Sequence, residues 1–530
     1  MTGRLLPGAA ALAILTLVIG GAFFGLIRVA GDFAWLEFFQ QPYVRAVVRF
    51  SLLQALLSTL LSVAPAIWVA RALARRRAFP GRELLLRLFG LPLVMPSLVA
   101  ILGIVAIYGH SGLINRLAMA VGFSPGQYLY GLSGILIAHV FFNLPLATRL
   151  LLPAWQAIPG ETWRLASQLG MGSRELFRLI EWPLLRQVLP GVAGLVFMLC
   201  FTSFAVVLTL GGGPARSTIE VAIYQAVRFE FDLDKAVMLA LTQLAICAAL
   251  LGLGQMFVRH SPLAPTAQRP QDRPDIHQTG GRILDAAILA MAAAFLFLPL
   301  SAVLWHGANG PIANVLFDTV LWRSVGLSTV VAVAASLLAF LLGWGLLLTT
   351  RELRLRRYRP RAAAAMELSA SLVLVVPPLV IGTGLFVLLS AIANVFAIGI
   401  LLVVLVNAMM ALPYVMRTLG PPMMRLAEQQ DHLCASLGVA GLDRLRLIEW
   451  PLLRRPIGAS LALASALAVG DLGVIALFGT QQSTTLPLLL YQRIAAYQMG
   501  AAATTAVVLL ALCLGLFAFF ERVLGGHGER

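Results

Sequence analysis

The sequence predicts an all-α polytopic membrane protein of about twelve spans, arranged as two homologous halves of six. Three observations predict this. Apolar residues make up 60% of the 530, charged residues only 12%, and mean hydropathy is +0.89, too greasy for a soluble globular chain. Twelve stretches have the ~20 mainly apolar residues that cross ~30 Å of hydrocarbon. Finally, Leu179-Ile-Glu-Trp-Pro-Leu-Leu-Arg186 recurs identically as Leu447-Ile-Glu-Trp-Pro-Leu-Leu-Arg454, an offset of 268 residues.

The first span runs from Pro7 to Val29. Its candidate small-residue cleavage pattern, Ala9 to Ala13, precedes the apolar run, which predicts a retained span; a cleaved signal peptide is the alternative. Further spans centre near Leu60, Val99, Ile137, Met198 and Ile246, then near Ala293, Ala334, Val376, Val403, Ala466 and Val508. The polar gaps between them are too short for an independent soluble core.

The formal charge of +16 is concentrated in alternate loops. Arg71, Arg75, Arg76, Arg77, Arg82 and Arg87 face only Glu83 between spans two and three, and Arg351, Arg354, Arg356, Arg357, Arg359 and Arg361 face only Glu352 between eight and nine. Intervening loops are poor in arginine, like Ser111 to Leu129, or carry acids, like Glu230, Asp232 and Asp234. Arginine-rich loops stay cytoplasmic, so both termini are expected inside. The same distribution argues against nucleic acid, whose phosphates would need a folded basic face. Cys200, Cys247, Cys434 and Cys513 form no CxxC pair, which indicates neither a disulfide framework nor a zinc site; they read as small buried hydrophobes. No metal site is expected.

The repeat extends beyond its identical core. The same offset pairs Leu144-Pro145 with Leu412-Pro413, Arg149 with Arg417, Pro153 with Pro421, Leu169-Gly170 with Leu437-Gly438 and Gly211 with Gly479. Upstream, Pro96-x-x-Val99-x-x-x-Gly103 returns as Pro377-x-x-Val380-x-x-x-Gly384. The halves are therefore 1–258 and 283–530, each with a repeated loop, near 153–187 and near 421–456. Between them, 259–282 is rich in Pro, Gln, Asp and Arg, with Pro262, Pro265, Pro270 and Pro274, and predicts an extended, poorly ordered cytoplasmic linker. An even number of spans in each half makes them parallel repeats about an axis along the membrane normal.

In the first repeated loop, Arg164-Leu-Ala-Ser-Gln-Leu-Gly170 precedes Ile180-Glu-Trp-Pro183 by nine residues; in the second, His432-Leu-Cys-Ala-Ser-Leu-Gly438 precedes Ile448-Glu-Trp-Pro451 by nine. Trp163, Leu165, Ala166 and Leu169 have the three- and four-residue spacing of a short amphipathic helix that can offer one face to a partner's groove. Gly170 and Gly438 permit the left-handed turn that ends such a helix. A second short helix, Ser173 to Ile180, leads to Pro183, suited to the first turn of the next span because its missing N–H is no loss there. Glu181 and Glu449, among many arginines, read either as anchors of the loop to its own half or as direct partner contacts.

This pattern resembles the "EAA" loop of permease subunits of ATP-binding-cassette (ABC) importers, Glu-Ala-Ala, three residues, Gly, nine residues, Ile-x-Leu-Pro. The resemblance implies the type I importer permease fold, with Arg164, Leu165, Ala166, Gly170, Ile180, Glu181, Trp182 and Pro183, and His432, Leu433, Cys434, Gly438, Ile448, Glu449, Trp450 and Pro451, coupling the chain to ATPase subunits. The leading carboxylate of the family pattern is absent here; Glu161, about one helical turn earlier, is its candidate substitute. A phosphate-cradling loop needs a lysine, and the single lysine, Lys235, has no such context, so the chain is expected to be neither an enzyme nor a nucleotide binder. It has no catalytic residues and binds no cofactor; ATP and Mg belong to the partner. Two loops imply two copies of a cytoplasmic ATPase on one fused chain. Outer loops too short to enclose a ligand imply a periplasmic substrate-binding protein, delivering at Gly211 to Arg228 and Gly479 to Arg493.

Within the spans, Asp471 in Val469-Gly-Asp-Leu-Gly473 and its repeat partner Ser203 are the candidate lining of the path, with a structural hydrogen bond as the alternative. His139 and Asn143 read as helix-packing groups. Over nearly its full length the chain resembles the fused thiamine permeases of Gram-negative bacteria, on His139-Val-Phe-Phe-Asn-Leu-Pro145, Gln168-Leu-Gly-Met171, Ile180-Glu-Trp-Pro183, Leu210-Gly-Gly-Gly-Pro214, Gly470-Asp471 and Ala476-Leu-Phe-Gly479. The resemblance implies a multi-pass protein of the bacterial inner membrane importing thiamine, and its phosphate esters with it. Fused ferric-iron permeases share the architecture and are the alternative. An ion-coupled secondary transporter would have no use for paired docking loops.

Overall fold

The computed structural model describes residues 5–30, 35–124, 126, 128–213, 216–257, 273–276, 279–439 and 441–525. Among these the chain is helical, without a strand. The first half contains α1 (Leu6–Ala30), α2 (Pro42–Arg75), α3 (Ser97–Tyr108), α4 (Leu132–Gln156), α5 (Trp182–Phe201) and α6 (Leu233–Phe257). The second repeats them as α7 (Thr279–Ala308), α8 (Thr319–Arg351), α9 (Pro378–Ser390), α10 (Gly399–Ser436), α11 (Trp450–Gly470) and α12 (Met499–Gly525). Eleven helices among the described residues are long and apolar enough to cross a membrane, and a bent pair makes twelve when counted as one span.

That pair corrects the expectation of a continuous span near Val376. Pro360–Val375 and Pro378–Ser390 meet at 89°. Val376 and, in the first half, Met95 are extended at ψ 116° and 135° because each precedes a proline whose ring disfavours the helical region for its neighbour. Pro-x-x-Val-x-x-x-Gly therefore marks a helix start. By contrast α2, with Pro42 in its first turn, runs 34 residues. At 1.5 Å per residue it is ~51 Å long and outreaches the hydrocarbon, which carries Arg71 and Arg75 to the repeated loop.

The halves interlock. The first helix of each crosses to the other: α1 packs on α8 and α9, and α7 on α2 and α3. The repeated glycine is the crossing point. A Cβ at Gly103 would lie 2.3 Å from the Pro299 carbonyl oxygen of α7, and one at Gly384 would lie 2.4 Å from that of Ala22 in α1.

After α5 and after α11 the chain re-enters the bundle. Residues Ile219–Tyr224 and Leu486–Leu490 are buried, so the expected outer loops lie largely inside the protein. Their starts are fixed by matching bonds: Ile219 N donates to Ser51 Oγ at 3.0 Å and Leu486 N to Ser328 Oγ at 2.7 Å. Pro214 of the first loop lies outside the described residues, as do residues 1–4 and 526–530 at the termini. The four cysteines are buried and free. His139 Nδ1 meets Ser58 Oγ at 2.8 Å, and Asn143 Nδ2 donates to the His139 carbonyl at 2.9 Å, consistent with packing roles.

Of the expected linker, residues 259–272, 277 and 278, including Pro262, Pro265 and Pro270, lie outside the described residues, as does residue 258 just before it. The helix α7 begins at Thr279, within the expected linker. Arg273 to Ile276 form a turn in which Arg273 and Asp275 are buried. Composition predicts an extended segment here; ion pairs hold this part folded, and composition does not see where its charges land.

Candidate functional site

The two repeated loops leave their fourth span differently. Pro159 and Gly160 interrupt the chain after α4, so Gly160–Gln168 is a separate helix. Ala427 and Glu428 occupy the corresponding positions in the second half, and α10 continues unbroken to Ser436. The expected short helix therefore exists in the first loop, whereas in the second it is the end of a span. Gly170 and Gly438 then turn at φ +63° and +68°. Nothing lies within 4 Å of a Cβ at either, so backbone conformation, and no packing, selects glycine.

Beyond the turn the loops converge. Ser173–Leu176 passes through a π-helical turn, Phe177–Glu181, into α5; Gly441–Arg444 passes through Leu445–Glu449 into α11. Pro183 and Pro451 sit in the first turn of each span, as expected. The unbroken runs are Ser173–Phe201 and Leu445–Gly470, so each loop is rigidly joined to its fifth span.

The amphipathic helix divides its apolar residues between two faces. Trp163, Ala166 and Cys434 are buried in the protein. Leu165 and Leu169 are 57% and 62% exposed, and Leu433 and Leu437, at the same repeat positions, 51% and 68%. Glu161, Arg164 and His432 are exposed, as are Trp182 and Trp450; Ile180 and Ile448 are half-buried. Each loop thus offers a pair of unpartnered leucines.

Glu181 and Glu449 are buried, which decides between their two readings. Arg71 Nε donates to Glu181 Oε2 at 2.6 Å, and Arg273 Nη2 donates to Oε1. Arg351 Nη1 and Arg444 Nε donate to Glu449 Oε1 at 2.7 and 2.8 Å. Both carboxylates anchor the loop to its own chain. Burial alone would raise Asp275, but Arg273 and Arg75 hold it below the usual carboxylate range. Burial alone would lower Arg444, yet Asp431 and Glu449 raise it.

At their far ends the fifth spans break at the same repeat position. Ser203 lies between α5 and Ala205–Leu210, and Asp471 between α11 and Gly473–Phe478. Phe204 of the first turn borders Gly473 of the second. Asp471 Oδ1 accepts from Gly473 N at 3.1 Å, and the Asn407 side chain lies close enough to hydrogen-bond the carboxylate. Sequence reasoning missed Glu220, 1% exposed on the re-entrant helix Ile219–Gln225. Its Oε1 accepts from Gln243 Nε2 at 2.7 Å, its Oε2 has no partner, and it lies close enough for its charge to interact with Asp471. Its signal was an acid flanked by Ile219 and Val221, concealed by reading this stretch as an exposed loop. Ser203 brings no charge to this meeting; the first half contributes Glu220.

The lone lysine is engaged elsewhere: Lys235 Nζ donates to Glu230 Oε2 at 2.8 Å and lies 4.6 Å from the Tyr43 ring centre. Among the described residues no group of three His, Cys, Asp or Glu is placed to hold a metal ion.

The model of the family described as "Binding-protein-dependent transport system inner membrane component" matches residues 62–260 and 342–523, once in each half. The thiamine transport system permease protein of Brucella abortus (strain 2308) is 44% identical over 98% of this chain and 96% of its own. That of Escherichia coli (strain K12) is 44% identical over 99% and 97%. That of Haemophilus influenzae is 39% identical over 97% and 95%.

Proposed function

The chain belongs to the family of binding-protein-dependent transport system inner membrane components, and from that membership we propose that it is the fused permease of an ATP-driven importer carrying thiamine from periplasm to cytoplasm. The observation that carries the reading is 44% identity across 98% of the chain, both repeated loops included, to a thiamine permease. These relatives favour thiamine over ferric iron.

In this reading two copies of an ATPase dock on one fused chain, one at each leucine pair: Leu165 with Leu169, and Leu433 with Leu437. The arginine-rich side, with both termini, is cytoplasmic. ATP-driven approach of the ATPases displaces the loops. Because each loop is continuous with its fifth span, the displacement reaches the breaks at Ser203 and Asp471. There, Asp471 and Glu220 recognise the positive charge of the thiazolium ring, and Phe204 and Tyr224, whose ring centres are 5.2 Å apart, offer aromatic faces. A periplasmic binding protein delivers the ligand to the opposite side, and thiamine phosphates are a further cargo.

Uptake of labelled thiamine by a disruptant complemented with this chain tests the reading. Asp471→Asn and Glu220→Gln are each expected to lower uptake at limiting thiamine by tenfold or more, the equivalent of ~1.4 kcal/mol, while the complex still assembles. Stimulation of the reconstituted ATPase by an iron-loaded receptor alone would remove the thiamine assignment.

A further inference from the structure

At the repeat offset, Trp163 corresponds to Asp431, Leu176 to Arg444 and Glu181 to Glu449; Arg71 lies one turn before the end of the second span of the first half, and Arg351 ends that of the second. In the second half the loop anchors itself: Arg444 donates to both Glu449 and Asp431. The first half has neither that guanidinium nor that carboxylate, because Leu176 and Trp163 stand in their places. Arg273 and Asp275, from the segment between the halves, fill the gap. Arg273 donates to Glu181, pairs through Nε with Asp275 Oδ1 at 3.1 Å, and lies 4.5 Å from the Trp163 ring centre.

The segment is fastened from several sides. Arg75 Nε lies 3.2 Å from Asp275 Oδ2, and Arg76 Nη1 donates to the Ile276 carbonyl at 2.6 Å. Asp285, in the first turns of α7, takes Arg75 at 3.1 Å and Arg76 at 2.9 Å. Among the described residues, the equivalent place in the second half is a cleft of about 490 Å³, lined by Pro7, Arg351, Asp431, Arg444 and Glu449 among others. A second observation agrees. The first loop's helix is separated from α4 at Pro159 and lacks the continuity that α10 gives the second, so it needs an external brace.

We propose that the inter-half segment is a working part of the first coupling loop: Arg273 and Asp275 are positioning residues supplying the guanidinium and carboxylate that this loop lacks. The segment reaches the first loop because it continues into α7, which packs on α2 and α3 of the first half. The inference rests on the reading that these loops dock the ATPase.

The complete complex in proteoliposomes, with thiamine-loaded binding protein, tests it by the ratio of stimulated to basal ATPase rate. Arg273→Ala is expected to lower that ratio at least threefold, Arg444→Ala similarly, and Trp163→Asp with Leu176→Arg is expected to restore at least half of it in the Arg273→Ala chain. A wild-type ratio for Arg273→Ala beside a reduced one for Arg444→Ala overturns the brace and leaves docking intact. Wild-type ratios for both overturn docking as well. A triple variant that assembles but stays as impaired as Arg273→Ala overturns the transfer of the anchor. Should Arg273→Ala fail to accumulate, co-expressed 1–265 and 266–530 are expected to couple, and 1–265 with 279–530 to assemble without coupling; equal coupling by both overturns the proposal.

Discussion

Glu181 and Glu449 are buried acids each matched by two guanidiniums, and removing one side of such an arrangement strands charge out of water. Replacing either by Ala is expected to cost ~3–5 kcal/mol, seen as a lower midpoint in thermal unfolding of the detergent-solubilised chain. Asp275 sets a pH expectation. Its native pKa is depressed, so its contribution is complete above the unfolded carboxylate value of ~3.9 and is lost only as pH falls through the lower native one. Asp275→Asn should therefore reduce coupled ATPase by a constant factor between pH 5.5 and 8, and a defect that changes across that range would contradict the assignment. At this scale the sequence named the glutamates and could not name their partners. Arg71 and Arg273 are 110 and 92 residues from Glu181, and nothing local encodes those approaches.

A helix that ends in a left-handed glycine can be tested without disturbing a core. Gly170→Val and Gly438→Val have room for their side chains but pay ~1–2 kcal/mol for φ near +65° in a β-branched residue. Both chains are expected to reach the membrane and to retain less ATPase subunit on co-purification; full retention by both would remove the turn from the docking reading. The elements also show why periodicity was only partly sufficient. Three- and four-residue spacing identified an amphipathic helix in the first loop, yet the apolar residues divide between an inner face, Trp163 and Ala166, and an outer one, Leu165 and Leu169. The difference between a separate helix and an extended span turned on Pro159 and Gly160, residues outside the repeated motif.

Across the whole molecule, each half is completed by the first helix of the other, so the crossing glycines hold the two together. Gly103→Leu or Gly384→Leu would drive a side chain into opposing backbone carbonyls, and each is expected to cost ~1–3 kcal/mol of overpacking, read as lower yield of intact complex and a lower unfolding midpoint. The sequence by itself determined the membrane class, the duplication and the repeated loop with its glycine turn, because hydropathy, repetition and motif spacing are written along the chain. Only the tertiary structure decided that α1 and α7 exchange places, that the supposed outer loops re-enter the bundle carrying Glu220, and that Glu181 of the first repeated loop meets Arg273 of the supposed linker whereas Glu449 of the second meets Arg444 of its own loop. Those features depend on which buried charges and carbonyls meet across separations of up to hundreds of residues, and such meetings are fixed by how helices pack.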